Sequence, residues 1–181
     1  MDTLLPIHVK KDIPENYRDT AIEKLFCYHN MNHPFGSYSK AEMLILMCMD
    51  HRKMMQLPDN FAYIIRNSGA KIDGVTFAIS FAVAVAKINT IAVIGHSNCR
   101  MIDIGRYGVD FVQGLIEQGW KRQKAEMLFL KKHKVFEIKD VIASVINETK
   151  KLRSQYSKVQ IVPMYYQVED KNLYLVSEDK L

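Results

Sequence analysis

The chain has 181 residues, of which 48% are hydrophobic and 25% charged, with only 8 glycines and 5 prolines. This composition fits one ordinary globular domain and excludes a disordered, collagen-like or low-complexity chain. The net charge of +5 results from 25 basic and 20 acidic residues. Neither half of the chain forms a basic arm, so the charge predicts no nucleic-acid partner.

The N-terminal sequence lacks the apolar core and the small-residue cleavage site of a signal peptide. The longest apolar stretch, residues 75–86, is shorter than the roughly 18 apolar residues that a membrane span needs. The chain has an odd number of cysteines, namely Cys27, Cys48 and Cys99, and no CxxC pair. This is untypical of a secreted disulfide scaffold. We therefore expect a cytoplasmic protein without a membrane partner, whose free thiols serve packing, metal binding or catalysis.

The elements predicted along the chain form one α/β unit. The first is an amphipathic helix at 14–29, which could pack on its own sheet or reach a second subunit. Hydrophobic patterning then predicts a buried strand at 43–49, a strand at 61–65, a deeply buried apolar helix at 74–87, a strand at 90–95, helices at 110–120 and 137–156, and strands at 159–168 and 173–176. This order favours an open, mainly parallel sheet flanked by helices, with an antiparallel C-terminal edge strand.

Chemically active side chains follow two of the predicted strands. Cys48, Asp50 and Arg52 lie at the end of the first strand, and His96 and Cys99 follow the third. In open parallel sheets, ligands bind beyond the carboxyl ends of the strands. Two Cys and one His form a known catalytic zinc set with an open fourth position, and thiolate and imidazole favour zinc over magnesium or calcium. The residues therefore predict a zinc site, with Asp50 and Arg52 as an ion pair beside it.

Three motifs, in this order, resemble the signature series of the β-class carbonic anhydrases. They are Cys-x-Asp-x-Arg at 48–52, Arg-Asn-Ser-Gly at 66–69 and Gly-His-x-x-Cys at 95–99. The segment 164–173 resembles the last hairpin of that family more weakly. The resemblance implies zinc-dependent, reversible hydration of carbon dioxide to bicarbonate and a proton, by attack of zinc-bound hydroxide.

The same resemblance implies a role for each site residue. Cys48, His96 and Cys99 would bind one zinc ion per chain, and Arg52 would orient Asp50 toward the water or hydroxide on that zinc. It also implies a homodimer or a dimer of dimers, with N-terminal helices that wrap the neighbouring subunit. We expect residues 1–40 to form a helical arm and loop, and residues 41–181 to form the zinc-binding α/β domain, within one structural domain overall.

Arg100 departs from the family pattern, which usually has glycine directly after the second zinc cysteine. An arginine there could crowd the site, bind bicarbonate or change the pKa of the reacting water, so it could modulate the site. Two alternatives stay open at this stage. One is a related zinc hydrolase of carbon disulfide or carbonyl sulfide, and the other is a non-catalytic zinc-binding protein on the same fold. Cys27 is expected to pack in the core, and Arg66 to be a structural arginine.

Overall fold

A six-stranded mixed sheet forms the centre of the molecule, which a computed structural model describes over residues 3–178. The strands are β1 (Leu4–Pro6), β2 (Met43–Cys48), β3 (Ala62–Asn67), β4 (Thr90–His96), β5 (Gln160–Tyr166) and β6 (Leu173–Val176). Their order across the sheet is β1-β6-β5-β4-β2-β3. Strands β3, β2, β4 and β5 pair in parallel, β6 pairs antiparallel with β5, and β1 pairs antiparallel with β6. The predicted mainly parallel α/β sheet with an antiparallel C-terminal strand is confirmed, and β1 adds a short strand that the sequence did not predict.

Strands β2 and β4 are buried along their whole length, as their uniformly apolar sequences predict for parallel strands covered on both faces. Alternate residues of β2 belong to different cores. Ile45 and Met47 pack with α1 (Ala21–His29) on one face of the sheet, and Leu46 and Cys48 pack on the other face. That second face is covered mainly by α5 (Val141–Gln155).

The first helix begins later than the predicted residue 14. A separate 3-10 turn occupies Glu15–Tyr17, and α1 starts after Thr20, whose hydroxyl accepts a hydrogen bond from the backbone N–H of Ile22. Ile22, Leu25 and Phe26 are fully buried against the sheet of the same chain. Of the two alternatives for this helix, the structure therefore shows packing on its own sheet. The division into an arm at 1–40 and a domain at 41–181 stays a prediction.

The apolar helix predicted at 74–87 is shorter and far less buried than expected. It forms α2 (Thr76–Ala84), in which only Ile79 and Ala82 are buried. Phe77 is 84% exposed and Phe81 is 53% exposed. The prediction of deep burial was wrong because a helix that packs on a sheet buries only the side that faces the sheet. Among the described residues, no further element covers the outer side of α2.

Two further helices, α3 (Gly108–Glu117) and α4 (Arg122–Phe136), pack against each other after β4. The last helix, α5, begins at Val141 rather than 137, because the carboxylate of Asp140 caps it by accepting a hydrogen bond from the backbone N–H of Ala143 at 2.7 Å. None of the helices within residues 3–178 combines the length and the apolar character that crossing a membrane requires.

Candidate metal centre

The three candidate zinc ligands lie where β2 and β4 end side by side. Cys48 is the last residue of β2, His96 is the last residue of β4, and Cys99 follows after a two-residue loop. The thiol sulfurs and an imidazole nitrogen of this cluster all lie within 4.8 Å of one another. All three side chains are buried. The parallel pairing of β2 with β4 thus brings together residues that are about fifty positions apart.

The imidazole of His96 is oriented by the backbone of the next residue. Its Nδ1 lies 2.7 Å from the carbonyl oxygen of Ser97, so a proton on Nδ1 donates to that carbonyl. The Nε2 atom is buried and has no hydrogen-bond partner in the described chain. Because a buried polar atom without a partner is unfavourable, and because metal-binding histidines commonly donate their other nitrogen in this way, Nε2 is well suited to bind a metal.

The two thiols influence each other strongly. The pKa of Cys48 is lowered, first by a hydrogen bond from the thiol of Cys99 and further by backbone N–H groups of Asp50 and Gly69. The pKa of Cys99 is raised, because it shares its proton with the neighbouring thiolate and because it is buried. Two adjacent buried thiols thus share a proton more readily than they hold two negative charges. A divalent cation would remove the second proton and compensate both thiolates.

The donor chemistry of this cluster fits zinc. Two thiolates and one imidazole are soft or borderline ligands, and three protein ligands leave a fourth tetrahedral position for water or substrate. Residues 3–178 contain no second group of three or more His, Cys, Asp or Glu side chains in metal-binding proximity. Zinc binding at Cys48, His96 and Cys99 is thus chemically consistent with every donor present.

Asp50 and Arg52 form a bidentate ion pair beside the cluster. Arg52 Nη2 lies 2.6 Å from Asp50 Oδ2, and Arg52 Nε lies 3.1 Å from both carboxylate oxygens. The same Nη2 donates to the carbonyl oxygen of Asn98 at 2.8 Å. The Arg52 guanidinium holds the pKa of the Asp50 carboxyl well below its usual range. Asp50 is therefore ionised at any pH near neutrality and can only accept hydrogen bonds.

Arg66 has the structural role that the sequence suggested. Its Nη2 donates to the carbonyl oxygen of Lys53 at 2.8 Å, and its Nη1 donates to those of Cys48 and Asp50 at 3.3 and 3.4 Å. These contacts fix the backbone that leaves β2 and carries the ion pair.

A cavity of about 410 Å³ opens onto the cluster. Its lining residues are Cys48, Met49, Asp50, Arg52, Arg100 and Met101. Met49 and Met101 also line a neighbouring apolar groove of about 530 Å³ against Phe111 and Phe129 of the α3 and α4 pair. Sequence reasoning missed both methionines, because apolar residues next to strand ends carry no signal that separates cavity lining from core. Arg100 is exposed and lines this cavity.

Comparisons with known proteins give one family and one fold. The model of the carbonic anhydrase family matches residues 43–173, a segment that contains the whole cluster. No curated protein matches the chain in sequence. A β-carbonic anhydrase isoform from Trichomonas vaginalis is similar with 15% identity and a TM-score of 0.67, over 91% of this chain and 98% of that chain.

Two further solved structures share the fold. A carbonic anhydrase from Glaciozyma antarctica has 18% identity and a TM-score of 0.63, over 91% of this chain and all of that chain. An apo form of a carbon disulfide hydrolase has 20% identity and a TM-score of 0.62, over 91% of this chain and 92% of that one. At these identities the structures establish the architecture, and the family match carries the assignment.

Proposed function

Since the chain belongs to the β-class carbonic anhydrase family, we propose that its Cys48, His96 and Cys99 hold one zinc ion per chain and that it catalyses the reversible hydration of carbon dioxide to bicarbonate and a proton. The observation that carries this proposal is the convergence of the three buried donors within 4.8 Å at adjacent strand ends. Zinc bound there would supply a Lewis acid that lowers the pKa of water from about 15.7 toward about 7.

The residues around the cluster have distinct roles in this reaction. The ionised carboxylate of Asp50 can only accept hydrogen bonds. It would accept one from the reacting water and so orient the lone pair of the water oxygen toward carbon dioxide. Arg52 keeps that carboxylate in one orientation through the bidentate contact. Met49 and Met101 provide the apolar wall along which an uncharged substrate approaches.

The decisive experiment is stopped-flow hydration of carbon dioxide by zinc-loaded protein across acidic to alkaline pH. We expect activity that rises with pH, is lost after chelation and returns when zinc is added. The rise does not come from Asp50, because its lowered pKa keeps it ionised throughout this range. Full zinc occupancy without activity above the chelated protein at every pH would contradict the enzyme assignment.

The apolar cavity and groove also suit uncharged linear sulfur analogues, and the solved carbon disulfide hydrolase shares this fold. Carbon disulfide and carbonyl sulfide are therefore tested with the same preparation. We expect a higher kcat/KM for carbon dioxide. A higher value for either sulfur compound would reassign the substrate while leaving the zinc site in place.

Arg100 is proposed to bind the bicarbonate anion in this cavity. Arg100 lines the same cavity as the Asp50–Arg52 pair, and within residues 3–178 it forms no ion pair. In Arg100→Gly we expect unchanged zinc content but a several-fold higher KM for bicarbonate in the dehydration direction. Arg106→Gly, which removes an exposed arginine outside the cavity, is the control. An unchanged KM for bicarbonate would exclude this role for Arg100.

We further propose a cytoplasmic location, where thiols stay reduced and available to zinc, and a homodimer or a dimer of dimers. The dimer is supported by apolar surface that a monomer leaves in water, namely Phe77 and Phe81 of α2 and Tyr63 and Ile64 of the edge strand β3.

In solution we therefore expect at least twice the chain mass of 21.0 kDa by light scattering. Replacing both Phe77 and Phe81 with glutamate should give monomers, because two buried carboxylates would oppose association. Val109→Glu, at an equally exposed apolar residue of α3, should stay associated. A monomeric wild-type protein would contradict the proposal.

A further inference from the structure

A two-residue loop, Ser97 and Asn98, separates the candidate ligands His96 and Cys99. Asn98 has a left-handed backbone with a φ of 54°, which asparagine tolerates better than most residues. The backbone N–H of Ser97 donates to the carbonyl oxygen of Tyr166 at the end of β5, at 3.1 Å. The shape of this loop sets the position of Cys99 relative to His96, and also the position of the Asn98 carbonyl oxygen.

The carboxylate of Glu169, in the turn between β5 and β6, binds both side chains of this loop. The hydroxyl of Ser97 donates to Oε2 at 2.7 Å, and the amide of Asn98 donates to Oε1 at 2.5 Å. The Ser97 hydroxyl in turn accepts from the backbone N–H of Val168 at 2.8 Å. Within the described residues no basic side chain forms an ion pair with Glu169. Both of its oxygens therefore serve this loop.

The contacts continue from the loop to the ion pair. The carbonyl oxygen of Asn98 accepts a hydrogen bond from Arg52 Nη2 at 2.8 Å, and the same nitrogen donates to Asp50 Oδ2 at 2.6 Å. A connected series of hydrogen bonds thus runs from Glu169 through Asn98 and Arg52 to Asp50. Glu169 is 119 positions after Asp50 in the chain, so only the folded hairpin makes this connection.

We propose that Glu169 is a positioning residue for the reaction: it fixes the Asn98 carbonyl oxygen, which fixes the Arg52 guanidinium and so the direction of the Asp50 carboxylate. This inference rests on the proposed function for its effect on rate. Residues that orient an active-site group from behind typically change activity about 10- to 100-fold when removed. In the described part of the chain, the side-chain hydrogen bonds of Glu169 go to Ser97 and Asn98 and not to the three metal donors, so zinc content is expected to be retained at saturating zinc.

The test compares Glu169→Ala, Glu169→Gln and the control Asp170→Asn. Asp170 is in the same turn, but its carboxylate accepts from the backbone N–H of Asn172 and from the Tyr174 hydroxyl, not from the loop. For Glu169→Ala we expect one zinc per chain, a kcat for carbon dioxide hydration about tenfold lower and an unchanged KM. Glu169→Gln keeps one acceptor oxygen and should recover part of kcat. Asp170→Asn should match the wild type.

Two further readouts separate positioning from a general loss of structure. If Glu169 acts through Arg52, the double variant Glu169→Ala/Arg52→Ala should have the kcat of Arg52→Ala alone. In nitrogen-15 NMR spectra, the Arg52 Nε–H signal, assigned by its absence in Arg52→Lys, should move toward the position of free arginine in Glu169→Ala. This movement should not occur in Asp170→Asn.

The outcomes are distinct. An unchanged Arg52 signal, a wild-type kcat in Glu169→Ala, fully multiplicative effects in the double variant, or an equal loss in Asp170→Asn would each overturn the positioning role. If the wild-type protein itself does not hydrate carbon dioxide, the proposed function fails, whereas the Arg52 signal still decides whether Glu169 orients the ion pair.

Discussion

Replacing Cys48 with serine is expected to reduce bound zinc from about one ion per chain to a small fraction and to abolish carbon dioxide hydration. Cys48 is one of the two thiols among the three clustered donors, so replacing it removes a third of the ligand set and half of the thiolate charge that would hold the metal. A serine hydroxyl stays protonated at neutral pH and is a poor ligand for zinc. Zinc content by elemental analysis and hydration by stopped-flow measure the two effects separately.

Cys27→Ser is the matched control for this substitution. Cys27 is also buried, but it is on α1 and outside the cluster, so the same chemical change should leave zinc content and hydration intact. Burial raises the pKa of its thiol, as expected for an unreactive core cysteine. Stoichiometric zinc in Cys48→Ser, or loss of zinc in Cys27→Ser, would show that the metal binds elsewhere.

Replacing Gly95 with alanine is expected to destabilise the protein by about 1–3 kcal/mol. Gly95 precedes His96 at the end of β4, and a Cβ atom there would lie 2.5 Å from Val145 Cγ2 and 2.6 Å from Val141 Cγ1 of α5. The glycine thus allows α5 to approach the sheet directly behind the candidate ligand. Since His96 would move with the backbone, weaker zinc binding should accompany the loss of stability. Urea unfolding of the zinc-free protein measures the free energy of unfolding, and zinc titration measures affinity.

Gly114→Ala serves as the comparison for this prediction. A Cβ at Gly114 would have no atom within 4 Å, and alanine is favoured over glycine inside a helix by about 0.5–1 kcal/mol, so this variant should be slightly more stable. Trimming Val141 and Val145 to alanine in the Gly95→Ala background should recover part of the zinc affinity. A Gly95→Ala protein with wild-type stability would mean that α5 shifts without cost.

The centre of the fold was predictable because its signals are local. The uniformly apolar runs of β2 and β4 predict strands buried on both faces, and the residues directly after them carry the metal chemistry. Placing Cys48, His96 and Cys99 together then required only the rule that parallel strands end at one edge. The Gly-His-x-x-Cys motif is visible in the sequence, but the reason for its glycine is the contact of Gly95 with α5.

The features that could not be predicted from the sequence depend on contacts between distant segments of the chain. The apolar sequence of α2 is the same whether a neighbour covers Phe77 or not, so its exposure could not be predicted from patterning. Strand β1 has three residues, which is too few for a periodic signal. Glu169 is in a polar turn of a common type, and its contact with Asn98 arises only when the C-terminal hairpin closes on the sheet.

The order of the strands has a consequence for how the molecule opens and folds. Leu4 of β1 pairs with Val176 of β6, so this pairing closes a loop that contains nearly the whole chain. Such closure has the largest entropic cost of any contact in the sheet, and β1 has only three residues to offset it. It should therefore be the last pairing to form and the first to fray. Because β6 and β5 lie between β1 and β4, fraying at this margin leaves the strand ends that carry His96 and Cys48 in register.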